Sequence, residues 1–262
     1  MKGRLFALAM AMGLAATAAH AQTYNLTLTG ASPGGLWSRI GGGVDAAIAA
    51  AYPGSTITYQ TSSGGLANIP MVAGGKVPLG IATDGELTLA VTGQKPFKSP
   101  IKDVRALVRL YTPGTRFQAT HVFMNKDFAD KHGIKSFADV VKKKIAIRVA
   151  INRRGNMDSD ISRLLMDLQG ATKENIESWG GQVVHAASKE IASLMLDRRI
   201  DVANFGIAFN HPRVREIAKG VPVILLDMPE SIAQKVVDKF GGDSLQEMKA
   251  RYDLFLQMAR ER

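Results

Sequence analysis

The sequence predicts a two-lobed α/β protein, each lobe a mainly parallel sheet flanked by helices, and three observations predict it. Strand-like and helix-like runs alternate from Asn25 to Thr92, the βαβαβα order of a parallel sheet covered by helices. The alternation resumes from about residue 106, giving a second unit from the middle of the chain. In both units loops rich in Gly, Ser and Thr follow strands, which is where open α/β sheets hold ligands, beyond the carboxyl ends of the strands.

In chain order, NLTLT at 25–29 reads as a strand leading into TGASPGGLWSRIGGG at 29–43, which packs six glycines into fifteen residues. An alanine-rich helix follows from Leu36 to Tyr52, ended by Pro53-Gly54. STITYQ at 55–60 is a second strand, TSSGGLAN a loop, and the helix after it must start near Pro70 or kink there, because proline lacks the helical N–H. VPLGIA at 77–82 is a third strand, with Thr83-Asp84 as an N-cap pair for a helix over 85–92. ALVRLY at 106–111 and THVFMN at 120–125 read as strands, KSFADVVKKK as a short helix and IAIRVAI at 145–151 as a strand. The polar loop NRRGNMDSD leads into a helix with Ile161, Leu164, Leu165 and Leu168 at helical spacing. A helix over Ser188 to Asp197, a strand in DVANFGIAF at 201–209, a strand over Val221 to Leu226 and a helix over Ile232 to Phe240 complete the series.

The first residues are MKGR, the apolar run Leu5 to Ala18, and Ala19-His20-Ala21 before Gln22, a secretory signal peptide with an A-x-A cleavage site. Cleavage after Ala21 gives an exported, periplasmic mature chain, expected to act as a monomer. Of 33 basic and 23 acidic side chains this removes two basic ones, leaving a net charge of +8, which favours acidic partners. The basic residues are scattered and aromatics are few, without the interleaving that base stacking needs, so no nucleic acid is expected. With no cysteine, disulfides, thiolate metal sites and thiol nucleophiles are excluded. The implied division is 1–21 signal peptide, 22–118 lobe one, 119–208 lobe two, 209–240 return to lobe one, and 241–262 a charged tail.

GxSxG is absent, GGKV at 74–77 lacks the spacing of a phosphate loop, and His121, His132, His185 and His211 form no HxxxH pair. Neither an enzyme nor a cofactor is expected. Asn156, Asp158 and Asp160 alternate like the start of a calcium loop, but Ile161 stands where such a loop needs glycine, so they are read as a helix N-terminus and no metal is expected. The loops suit a polar or anionic guest better. Ser32, Gly34 and Gly35 precede one helix, Ser62, Ser63 and Gly64 a second, and Thr83 with Asp84 a third; hydroxyls and free N–H groups at helix N-termini are donors for carboxylates. The glycines of the first loop serve either close backbone approach to a ligand or tight turning and packing. Trp37 is either a pocket wall or a core residue. Across the cleft Arg153, Arg154, Gly155 and Asn156 form the facing loop; adjacent arginines do not both point inward, and which of the two faces the cleft stays open, with Arg154 put forward as the candidate carboxylate partner.

With these residues in view the chain resembles the TAXI family of extracytoplasmic solute receptors of TRAP transporters. The resemblance rests on the signal peptide, TGASPGGLWSRIGGG, YQTSSGGLANIPMVAGGKVPLGIATD, KSFADVVKKKIAIRVA and RRIDVANFGIAFNHP, in that order, over about residues 24–238. It implies a type II periplasmic-binding-protein fold, a small carboxylate solute (an organic acid, or an acidic amino acid or its amide), and transfer to permease subunits driven by an ion gradient. Phe205 on the return crossing joins the candidate ligand contacts. The arginine pair departs from the family's Gly/Ser/Thr-rich loop, and the sequence after Phe240 matches nothing in the family, so lobe one is expected to be less completely covered than lobe two. Two other readings stay open, an exported α/β enzyme and a receptor-like signalling partner.

Overall fold

A computed structural model of the chain describes residues 22–110, 119–207 and 211–240. Two sheets form. The first has strand order β2-β1-β3, with β1 at Asn25–Thr29, β2 at Thr56–Gln60 and β3 at Leu79–Gly80, all parallel. Its helices are α1 (Leu36–Ala51), α2 (Gly65–Ala73) and α3 (Asp84–Thr92). In this lobe Leu28, Trp37, Ile57 and Ile81 cluster, with Leu26, Ile40, Val44 and Tyr59 packed around them, and Leu66, Ile69, Val77 and Leu89 are buried as well.

The second sheet has order β6-β5-β7-β4-β8, with β4 at Ala119–Asn125, β5 at Arg148–Ile151, β6 at Gln182–His185, β7 at Val202–Ile207 and β8 at Val223–Leu225. β5 runs parallel to β6 and β7, while β4 is antiparallel to β7 and β8. Side chains alternate across it as a two-sided sheet requires. Val122, Met124, Val149, Ile151 and Val202 face α4 (Lys126–His132), α5 (Phe137–Lys143), α6 (Met157–Asp167) and α7 (Lys173–Ser178), meeting Ala129, Phe137, Met166 and Ile176. Phe123, Ala150, Ala203 and Phe205 face α8 (Ser188–Leu196) and α9 (Pro212–Gly220), meeting Ile191, Met195 and Ile217. α10 (Glu230–Phe240) packs on α6.

Several expectations are corrected. The segment 209–240 does not rebuild lobe one, for β8 pairs with β4 through Phe123–Leu225 and Met124–Ile224, whose side chains complete the second core. The end of α10 does reach lobe one, where a Cβ at Gly85 would lie 2.9 Å from the Phe240 carbonyl oxygen. The apolar run at 106–110 is no strand; Leu107 and Val108 stand exposed, with no sheet partner to take up their backbone groups. β3 covers only two residues of VPLGIA because Pro78 has no N–H to give a ladder. Helices α4, α7 and α9 and strand β6 are additions to the elements expected from the sequence. Residues 1–21 and the tail 241–262 lie outside the described residues.

Candidate functional site

The first-lobe loops meet at one buried amide. Asn68 is the lone polar side chain on the inner face of the apolar helix GLANIPMVA, and its four hydrogen-bonding positions are all used. Its Nδ2 donates to the carbonyls of Gly30 (2.7 Å) and Ile81 (2.8 Å), and its Oδ1 accepts from the Thr29 hydroxyl at 3.0 Å. Ser62 Oγ lies 2.6 Å from the same Oδ1 and accepts the Gly64 N–H at 3.0 Å. One amide thus fixes the ends of β1 and β3 and the loop after β2. Gly30 and Gly41 serve Tyr59, whose ring would sit 2.2 Å and 2.3 Å from a Cβ at those positions. The Tyr59 hydroxyl takes the Ala31 N–H at 2.7 Å, so these two glycines are there for packing.

A second polar hub is Glu86, 1% exposed. Thr83 donates to it from the backbone at 2.9 Å and from the hydroxyl at 3.0 Å, while the Glu86 N–H returns to Thr83 Oγ1, a reciprocal capping box. The Leu66 N–H of α2 points at the same carboxylate, and across the cleft the Met157 N–H of α6 reaches Oε1 at 3.3 Å. Burial pushes the Glu86 carboxyl above the ordinary carboxylate value, opposed by the N–H groups of Thr83, Met157 and Leu66. Gly65 makes room for it, since a Cβ there would lie 1.9 Å from Oε2.

From lobe two the loop 152–156 enters between these hubs. Arg153 is the arginine that crosses. Its Nη2 donates to Ser32 Oγ at 2.9 Å and to the Ser62 carbonyl, and its charge opposes the upward push that burial gives the Tyr59 phenol. Arg153 Nε is buried and has no hydrogen-bond partner among the described residues. Arg154 is exposed, so of the pair it is Arg153 and not the candidate Arg154 that faces lobe one; the Arg153 N–H bonds to Asn152 Oδ1 at 2.8 Å. Asn156 caps α6 through the Asp158 N–H at 2.9 Å, and its amide lies against Gly64, where a Cβ would be 2.8 Å away. Gly155 meets Ser63 in the same way at 3.2 Å.

Asp158 lies behind this loop, 5% exposed. Its Oδ2 accepts from Asn152 Nδ2 at 3.0 Å, and it also receives the Gly206 N–H. Oδ1 has no partner among the described residues, and neither has the Oδ1 of Asn204 on β7, whose Nδ2 and carbonyl pair with Ser162 one turn along α6. Burial, opposed by those two donors, pushes the Asp158 carboxyl up to about 6. The stretch read as a helix N-terminus is one: Asn156 is the cap, and Asp158 and Asp160 occupy the first turn.

The structure therefore brings together Ser32, Ser62, Ser63, Gly64, Gly155 and Asn156 of the sequence-selected residues, with Thr83 joined to them through Glu86. Gly34 adopts φ +72° at an exposed turn and meets nothing within 4 Å, and Gly35 caps α1 without a side-chain bond. Three others fall elsewhere. Trp37 is in the lobe-one core beside Leu28 and Ile57. Asp84 turns outward to an exposed ion pair with Arg109, because the first turn of α3 presents Glu86, not Asp84, to the interior. Phe205 is fully buried between β7 and the outer helices, 6.2 Å from the Phe123 ring, since strand alternation sends it away from α6. Asn68 and Glu86 lie outside the sequence-selected residues. The polar interruption of an apolar helix and the T-x-x-E spacing of Thr83 and Glu86 were the signals for these two.

Beside the loops a cavity of about 330 Å³ opens between Pro33 of lobe one and Ala187, Lys189, Glu190 and Ser193 at the start of α8. Ala187 caps that helix without a side-chain bond. Another cavity, of about 250 Å³, lies at the far end of the second sheet, where Arg148 grips Asp201 through Nε and Nη2. That pair ties β5 to the start of β7 and leaves the cavity a structural one. Among the described residues no three His, Asp or Glu side chains are placed to hold a metal ion, and no helix is long and apolar enough to cross a membrane.

With the fold and cleft defined, comparison places the chain. Residues 28–244 match the NMT1-like family. The chain belongs to that family. A similar solved structure is a binding protein component of an ABC phosphonate transporter from Pseudomonas aeruginosa, 12% identical over 89% of this chain and 80% of that one, with a TM-score of 0.52. The alkanesulfonate-binding protein SsuA from Xanthomonas axonopodis pv. citri aligns over 91% of this chain and 80% of that one at 11% identity and a TM-score of 0.46. No curated protein sequence matches. At these identities the likeness establishes architecture: this NMT1-like protein has the two-lobed α/β fold of type II periplasmic binding proteins.

Proposed function

We propose that this NMT1-like protein is a periplasmic solute receptor that closes its lobes on a small oxyanion-bearing solute, a carboxylate first among them, and passes it to a membrane permease. The observation that carries the reading is Arg153. A guanidinium from lobe two lies in the cleft, spends Nη2 on Ser32 and Ser62 of lobe one, and keeps a buried Nε with no partner among the described residues. A planar cation with an unused Nε–H between two lobes suits one oxygen of a carboxylate, sulfonate or phosphonate, through a charge-assisted hydrogen bond. An open cavity of about 330 Å³ begins at Pro33, next in sequence to Ser32, and runs to the uncapped start of α8. The net charge of +8 after loss of residues 1–21 supports an anionic guest, and the phosphonate and alkanesulfonate named for the two structural neighbours are oxyanions as well.

The task is equilibrium binding, with no chemistry on the solute. The sequence resemblance to TAXI receptors supports a TRAP permease as partner, and the neighbour from an ABC system supports the alternative of an ATP-driven one. Export through residues 1–21 puts the receptor in the periplasm.

A thermal-shift panel of carboxylates, sulfonates and phosphonates on the mature chain tests the reading, since a ligand that binds only the folded state raises its melting temperature saturably. The expected result is stabilisation by one class, a loss of about 2 to 5 kcal/mol of binding in Arg153→Ala and near-normal binding in Arg154→Ala. Turnover of any panel member, or equal affinity in wild type and Arg153→Ala, overturns it. Uptake by vesicles carrying the permease, driven by an ion gradient or by ATP, separates the two transporter classes.

A further inference from the structure

Three helix starts converge on Glu86. The carboxylate lies at the first turn of α3, its own helix, and takes the Thr83 N–H and hydroxyl there at 2.9 and 3.0 Å. It also faces the Leu66 N–H in the first turn of α2 and, from the opposite lobe, the Met157 N–H that opens α6 at 3.3 Å. Each helix has at least nine residues, so each carries a partial positive charge at this end. A cluster of N–H groups aimed at one point is how proteins seat carboxylates and phosphates. Here the chain itself supplies the anion. Gly65 is bare to admit it, and a Cβ at Gly85, beside it on α3, would lie 3.1 Å from the Met157 side chain, so the two lobes also meet next to the carboxylate.

We propose that Glu86 is a built-in anion that clasps the two lobes: its carboxylate fills the seat formed by the starts of α2, α3 and α6 and holds the cleft closed without solute. Two consequences follow from the geometry. The seat is full, so a solute anion is met by Arg153 and not by these helix ends. Closure also rests on two crossing contacts of opposite sign, Glu86 reaching from lobe one to α6 and Arg153 reaching from lobe two to Ser32 and Ser62. Charged side chains on the elements that meet at the clasp include Arg153 and Arg154 in the facing loop, Asp158 and Asp160 in the first turn of α6, Lys239 near the end of α10, and Asp84 on α3, which pairs with Arg109.

The inference does not depend on the cleft taking a solute. Its test uses the mature, solute-free protein and small-angle scattering. Glu86→Ala removes a fragment the size of acetate. The expected result is a larger radius of gyration and a lower melting temperature than wild type, both reversed by millimolar sodium acetate and not by sodium chloride at equal ionic strength, with wild type insensitive to either salt. Glu86→Gln keeps the side-chain volume and carries the test if the alanine variant does not fold; amide exchange at Met157 should then rise by an order of magnitude or more relative to wild type while exchange in the β4–β7 pairing is unchanged. A wild-type radius of gyration in Glu86→Ala, acetate effects equal in wild type and variant, or unchanged Met157 exchange in Glu86→Gln overturns the clasp and leaves Glu86 as a cap of α3 alone. A receptor that failed the solute panel would still be expected to show acetate rescue.

Discussion

Replacing Asp158 by Asn should stabilise the protein at neutral pH. In the native chain the carboxyl is pushed from 3.8 up to about 6, chiefly by burial, against the pull of the Gly206 N–H and the Asn152 amide. The native state therefore holds the proton more tightly than the unfolded one. Stability from this group is full below pH 3.8, declines as the pH rises towards about 6, and is flat above that. At 1.36 kcal/mol per unit, the difference between 3.8 and about 6 makes the ionised carboxylate cost about 3 kcal/mol at pH 7.5. An asparagine can accept from Asn152 Nδ2 through its own Oδ1 and place an N–H where Asp158 Oδ1 now has no partner among the described residues. Asn204 Oδ1, on the strand that packs against α6, is an acceptor without a donor in the same interface. Urea unfolding of wild type and Asp158→Asn at pH 4.5, 5.5, 6.5 and 7.5 measures the effect, and subtracting the two curves cancels other shifted groups such as Glu86. The variant should gain up to about 3 kcal/mol at pH 7.5, shrinking towards zero near pH 4. A variant less stable than wild type at pH 7.5, or a difference that does not change with pH, would refute the reasoning and mean that the buried carboxylate is solvated by donors outside those named.

Other expectations test the loops. Asn68→Asp leaves the Gly30 and Ile81 carbonyls without their donor and should lower stability by roughly 3 kcal/mol or more in urea unfolding. Gly30→Ala should be severely destabilising through its clash with Tyr59, and most of the loss should be recovered in the double variant with Tyr59→Ala, where the obstructing ring is gone. Gly34→Ala meets no neighbour and should cost only the left-handed backbone, about 1 kcal/mol, so a melting-temperature comparison with Gly30→Ala separates the two kinds of glycine. Arg154→Ala, at an exposed position, should leave unfolding stability within about 0.5 kcal/mol of wild type.

The sequence by itself determined the architecture and most of its elements. Period-2 and period-3.6 patterns are properties of neighbouring residues, so NLTLT, STITYQ, THVFMN and the run containing Ile161 and Leu165 could be read without knowing what they touch. The same locality exposed the helix-start loops at Ser32, Ser62 and Asn156, and these do meet across the cleft. What the tertiary structure alone decided concerns partners distant in sequence. Whether β8 extends the first sheet or the second depends on which edge offers free backbone groups, and β4 offered them. Asp84 and Glu86 are two residues apart on one helix, yet one faces solvent and the other the lobe interface, a rotation set by where α2 and α6 lie. Arg153 and Arg154 are adjacent and chemically identical, and a single hydrogen bond from the Arg153 N–H to Asn152 Oδ1 accompanies the choice of the one that crosses to Ser32, 121 residues away. No local pattern encodes such a choice, because its energy resides in a contact that exists only once both lobes have folded.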